Sequence, residues 1–306
     1  MNFEEKSYKQ HEAYYAENFD DKLVETYGHK DTVDYWRHAR MYASLDPIIK
    51  SYPKSSWLTI GDGRYGTDAN YIATAGIEKV VASDISETFL AKAKQDGFIK
   101  EYSIQNAEKM TFDNDSFDFV VIKEAYHHFP RPMIAVYEML RVAKQAIVLL
   151  EPQDEHAMVP AKAKTRLLFR WLVQSFKNIV KGFLGKPLFY EHGQYEPVGN
   201  YVYTISKREI EKIALGLNYP MVAFRELNDF YEKGVEFEKA SPDSALFNKV
   251  KNEIAKIDEE CKKGTLTYQM LVAVIFKEAI SPEARKTMEQ AGYTFSDLPR
   301  NPYLKP

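Results

Sequence analysis

Between residues 56 and 151 short apolar runs alternate with helical patterns, and that alternation restricts the chain to few folds. "SWLTIG", "KVVAS", "FIKEYSI", "FDFVVI" and "QAIVLLE" have strand length and are rich in β-branched residues. Helical patterns such as "GTDANYIATAG" and "SETFLAKAKQD" separate most of them. Ser86, followed by Glu87 and Thr88, marks a helix start, and Gly76 marks a stop. The link "QNAEKMTFDNDS" is shorter and less clearly helical. Strand, helix, strand repeated this often requires right-handed crossovers, hence a parallel sheet with helices on both faces.

After Glu151 the rhythm breaks. Residues 161–184 form one long amphipathic helical pattern, with Leu168, Leu172, Phe176, Ile179 and Phe183 on one face. That segment carries Lys162, Lys164, Arg166, Arg170, Lys177 and Lys181 and no acid. Ser206 and Glu209 then make a capping box, and "MVAFREL" and "QMLVAVIFK" read as two more strands. The expected fold is α/β, a Rossmann-like doubly wound, mostly parallel sheet of seven strands. Five regions follow: an N-terminal helical cap (1–52), a cofactor-binding core (53–155), a basic helical insertion after the fifth strand (156–200), completion of the sheet (201–280) and a tail (281–306). In the tail Ser281-Pro282 opens a short helix ending near Gly292.

The formal net charge is −3, which argues against general nucleic-acid affinity. Cys261 is the only cysteine, so an internal disulfide and a cysteine-based zinc site are both excluded. The start is acidic and aromatic without an apolar h-region, and no apolar run reaches the ~18–20 residues of a spanning helix. A soluble, cytoplasmic protein is expected.

The first strand runs into "GDGRYG", with Gly61, Gly63 and Gly66 ahead of a helix. Ligands of open α/β sheets sit beyond the carboxyl ends of the strands, and glycine lets backbone approach them closely. Asp84 closes the second strand eighteen residues past Gly66, placed to accept both hydroxyls of a ribose. The competing roles are a tight structural turn for the glycines and a helix cap for Asp84. At this point a dinucleotide and an adenosyl cofactor are equally served.

"QNAEKMTFDNDSFDFVVIKEAYHHFPRP" (105–132) separates them. It resembles the run after the third strand in class I S-adenosylmethionine-dependent methyltransferases, nearest to the ubiquinone- and menaquinone-biosynthesis branch. The resemblance implies S-adenosylmethionine as cofactor and S-adenosylhomocysteine as product. It implies that Asn106 faces the adenine, with Ala107 and Glu108 beside it, and it groups Ile85 and Lys123 with the cofactor residues. The sequence departs from the family at Thr59, where an acid is usual, and at Arg64 and Tyr65 before Gly66. Asp62 or the Lys123 backbone is then a candidate for the cofactor ammonium, and Arg64 for its carboxylate.

His127 and His128 lie just past the fourth strand and are the candidate general bases for a hydroxyl acceptor, His128 matching the family's commonest position. Loop packing is their bland alternative. Glu124, Glu151, Asp154, Glu155, His156 and His192 offer ligands for a divalent metal, a reading less favoured than solvated or capping acids. Tyr8, Tyr14, Tyr15, Tyr27, Tyr35 and Tyr42 either lid the cofactor or bury against the sheet, and Arg37 or Arg40 can reach a carboxylate. The basic segment 161–184 is a lid, a homodimer contact or a peripheral membrane helix. The expected activity is O-methylation of a small molecule or glycan. A nicotinamide-dependent oxidoreductase and an inactive adenosyl-cofactor-binding protein are the alternatives.

Overall fold

The computed structural model describes residues 5–10, 21–154 and 201–304. The expected insertion at 156–200, with its pattern at 161–184 and with Glu155, His156 and His192, lies outside the described residues. So do Tyr14 and Tyr15.

Among the described residues eight strands form one sheet in the order β3-β2-β1-β4-β5-β7-β6-β8. They are β1 (Ser56–Ile60), β2 (Lys79–Asp84), β3 (Glu101–Ile104), β4 (Phe117–Lys123), β5 (Ala143–Pro152), β6 (Met221–Leu227), β7 (Met270–Phe276) and β8 (Thr294–Asp297). The first five pair in parallel. β7 and β8 run against them. The sheet is therefore mostly parallel and doubly wound as expected, but with eight strands rather than seven. The additional strand comes from the region expected as a tail. "TFSD" is too short and too half-exposed to signal a strand, and it forms because β6 offers an open edge.

Helices cover both faces. Val80, Ala82, Phe119, Val121 and Val148 point to one buried cluster, and Leu58, Ile60, Val120, Ile122 and Ile147 to the other. Strands buried on both faces explain the continuous apolar runs. β3 begins three residues later than expected. Gly97 turns at φ 72°, and Ile99 is buried beside the glycine loop instead of joining the sheet. The helix after β2 spans Thr88–Gln95, one residue past the expected start at Ser86 and Glu87, and its N-cap residue Glu87 makes no side-chain cap.

Outside the alternating core, α1 (Val33–Tyr42) is capped by Thr32, and α2 (Ala245–Lys262) lies between β6 and β7. Val33 and Trp36 of α1 pack against Phe247, Val250 and Ile254. This satellite cluster fixes α1 above the carboxyl ends of the strands. The expected capping box at Ser206 and Glu209 and the helix opened by Ser281 and Pro282 are both present.

Candidate functional site

The site is built where β1, β2, β3 and β4 end. A Cβ on Gly61 would lie 2.4 Å from that of Ala125, so the turn after β1 and the turn after β4 are in direct contact. A Cβ on Gly63 would lie 2.6 Å from Asp84 Oδ2, so bare backbone is what leaves room for that carboxylate. Gly66, at φ 66°, stands at the N-cap position of the helix Thr67–Thr74. Asp84 Oδ1 accepts from the Ser86 amide at 2.8 Å, which fits a turn rather than a helix cap. Burial pushes its carboxyl above the usual range. Asn106 lies on the neighbouring strand end, and Gln105 N donates to Asp84 O at 2.8 Å. Ile85 is exposed beside them.

Two residues have their polar atoms committed elsewhere. Asp62 is 2 % exposed and turned inward. Its carboxylate accepts from Asp68 N at 3.1 Å, Ala69 N at 2.9 Å and Thr59 Oγ1 at 2.8 Å, capping the helix that follows. Burial, reinforced by Asp68, holds its carboxyl well above the usual range. The side chain so placed does not face a cofactor ammonium. Glu108 likewise accepts from Arg131 N at 2.8 Å and Arg131 Nε at 2.7 Å, so its side chain is turned to the protein. Asn106 Oδ1 accepts from Glu108 N at 2.9 Å and from the Tyr8 hydroxyl at 3.5 Å. Ala107 is half-buried next to it.

A charge network spans α1, the glycine loop and β4. Asp34 pairs with Arg64 and, at 2.9 Å, with Arg37. His38 Nε2 lies 3.0 Å from Arg64, and His38 Nδ1 lies 2.8 Å from Lys123 Nζ. Lys123 donates to Glu124 at 2.7 Å and sits over the Tyr42 ring. Burial alone would raise the Asp34 and Glu124 carboxyls. His38 and the two arginines beside Asp34, and Lys123 and His38 beside Glu124, hold both well below the usual range. Glu124 adopts φ 50°, a left-handed conformation that costs on the order of 1 kcal/mol or more outside glycine. Arg37 pairs with Asp229, and Arg40 donates to Asn228 O, so both arginines bind protein groups. A depressed carboxylate stabilises the fold above its ordinary pKa, and that contribution is lost as the pH falls through the folded value. Asp34→Asn is accordingly expected to cost about 3 kcal/mol at pH 7. The deficit shrinks between pH 4 and pH 2, as denaturant melts at each pH would show.

The histidines follow on the turn Tyr126–His128. His127 Nδ1 lies 2.8 Å from Glu151 Oε2, and the same carboxylate accepts through Oε1 from Ala125 N at 2.9 Å and Tyr126 N at 3.0 Å. Glu151, on β5, is 0 % exposed. The His127 and His128 rings lie 4.0 Å apart between centroids. Tyr126, Tyr203 and Tyr201 continue the surface as edge-to-face pairs, and Tyr203 N donates to His127 O at 3.4 Å. Among the described residues no group of three or more His, Cys, Asp or Glu could hold a metal ion. Of the residues named above as metal candidates, Glu124 is ion-paired with Lys123 and Glu151 is bonded to His127.

Asp34 and His38 went unnoticed in the sequence. Their i, i+4 spacing puts them on one face of α1, but nothing local says that this face meets β4. The comparison with known proteins agrees with the geometry. Residues 58–149 match the family model described as a methyltransferase domain.

Over that stretch the chain is similar to methyltransferase domains.

The 2-methyl-6-phytyl-1,4-hydroquinone methyltransferase of Arabidopsis thaliana chloroplasts is 30% identical over 135 residues, 44% of this chain and 39% of that protein. The chain thus spans about two fifths of that relative's length. An S-adenosylmethionine-dependent methyltransferase from Methanosarcina mazei is 17% identical with a TM-score of 0.44, over 76% of this chain and 98% of that one. One from Archaeoglobus fulgidus is 15% identical with a TM-score of 0.47, over 79% and 94%. No helix among the described residues is long and apolar enough to cross a membrane.

Proposed function

We propose that the protein is an S-adenosylmethionine-dependent methyltransferase that methylates a hydroxyl of a small molecule or glycan, with a histidine beyond β4 as general base. The observation that carries this reading is the cradle between Gly63 and Asp84, where the missing Cβ leaves the carboxylate open to a ribose. The residues present fit the cofactor from end to end. Asp84 would accept the ribose hydroxyls, Ile85 would cover the adenine, and the Asn106–Glu108 backbone would face its edge. Gly61 and Gly63 would let the chain pass close to the sulfur.

The methionine end is a zwitterion, and the α1 network offers both signs of charge to it. Arg64 and Lys123 suit a carboxylate, and Asp34 and Glu124 suit an ammonium. Acids on α1 and after β4 thus stand in for the one that Thr59 replaces. When bound, the cofactor supplies an electrophilic methyl group on a sulfonium. The protein's part is placement of the acceptor and removal of its proton.

The relative's name makes a hydroquinone the first acceptor to try. Protein incubated with methyl-tritiated adenosylmethionine and either a hydroquinone or a cell extract should move label into an extractable small molecule. Label in an organic phase would fit an apolar acceptor and a membrane role for 161–184, and label in water would fit a soluble one. Absence of label, with adenosylhomocysteine binding intact, would leave a non-catalytic binding protein.

A further inference from the structure

The proposed chemistry leaves two adjacent histidines, and the structure assigns the base to one of them: we infer that Glu151 is a positioning residue that makes His127 the proton acceptor. This rests on the reading of a hydroxyl acceptor given above. A carboxylate removed from water has to be satisfied by donors. Glu151 has three, the amides of Ala125 and Tyr126 on Oε1 and His127 Nδ1 on Oε2. Both amides are fixed donors, so Oε1 is fully committed. Oε2 accepts only, so His127 carries its proton on Nδ1 and presents the lone pair of Nε2.

The same carboxylate stabilises the imidazolium formed when Nε2 takes a proton. Glu151 also ties the tip of the turn to β5, so the ring is held by a strand and not by the loop alone. His128 lies beside the ring, 4.0 Å between centroids, and Tyr126 on the same turn lies near Glu209 as well as Glu151. In the transfer, the hydroxyl proton moves to His127 Nε2 and the oxygen lone pair forms the bond to the methyl carbon. The carbon–sulfur bonding pair stays on sulfur, and the imidazolium later releases its proton to solvent.

Glu151→Gln separates this role from plain structural support. Its single carbonyl oxygen must take over the Ala125 and Tyr126 amides. The amide NH2 is then turned toward His127 Nδ1, which must become an acceptor. The proton moves to Nε2, and the base is blocked while the fold keeps its backbone bonds. Nitrogen-15 histidine spectra of the whole protein with adenosylhomocysteine should show His127 as the Nδ1–H tautomer in the wild type and as Nε2–H in E151Q. The labelled-methyl rate should fall about 100-fold in E151Q, with adenosylhomocysteine affinity within threefold, and Glu151→Asp should recover the wild-type tautomer. The same tautomer in wild type and E151Q, or E151Q transferring methyl at the wild-type rate, would overturn the assignment. The spectra need no acceptor. A wild type that transfers no methyl yet shows the expected tautomers would therefore sink the proposed activity and leave the role of Glu151 in place.

Discussion

Gly63→Ala is expected to weaken adenosylhomocysteine binding about 100-fold, while the protein melts within a few degrees of the wild type. The new Cβ would sit 2.6 Å from Asp84 Oδ2 and 2.7 Å from Asp84 Cγ, closer than carbon and carboxylate atoms approach. The carboxylate has to swing out, and two ribose hydroxyls lose their charged acceptor. Hydrogen bonds to charged groups contribute about 1.5–3 kcal/mol, which is the size of the expected loss. The backbone at Gly63 is not left-handed, so alanine meets no conformational penalty there. Gly61→Ala provides the contrast. Gly61 has φ 69°, and its Cβ would lie 2.4 Å from the Ala125 methyl on another segment. That variant should lose stability as well as binding. Equal affinity of Gly63→Ala and wild type for adenosylhomocysteine would mean that Asp84 does not meet the ribose.

The second large effect concerns the histidines. His127→Asn is expected to lower the methyl-transfer rate about 100- to 10,000-fold, the usual contribution of a positioned general base. Adenosylhomocysteine affinity should stay within threefold, because His127 is held by Glu151 and lies outside the charge network of α1. His128→Asn should cost less than tenfold. Sequence resemblance favours His128, but only His127 is held 2.8 Å from the buried Glu151. If His128→Asn proved the more damaging change, the assignment made from the structure would be reversed in favour of the one made from sequence.

Local signals located the strand ends at which the candidate site is built. The apolar runs located the strands because sheets buried on both faces leave an uninterrupted pattern. The glycines and Asp84 were legible because tight turns and strand ends have short-range signatures. The capping box at Ser206 was visible for the same reason. What was hidden depends on contacts between distant segments. His38 meets Lys123 across 85 residues, and α1 is held in place by α2, whose 18 residues were read as plain sheet completion. Glu151 was noticed, but as one acid on a rim. Its pairing with His127 requires β5 to lie beside β4, and composition does not show that. Asp62 looked like a ligand residue because it sits between two glycines. Burial and the amides of the next helix give it a capping role. β8 forms only because β6 leaves an edge free.

The carboxyl ends of β1, β2 and β3 are proposed to hold an adenosyl thioether. A calorimetric titration of the purified protein with S-adenosylhomocysteine, run beside one with a nicotinamide dinucleotide, tests this directly. One equivalent of adenosylhomocysteine should bind, with no heat from the dinucleotide. Tighter binding of the dinucleotide, or no binding of adenosylhomocysteine, would contradict it.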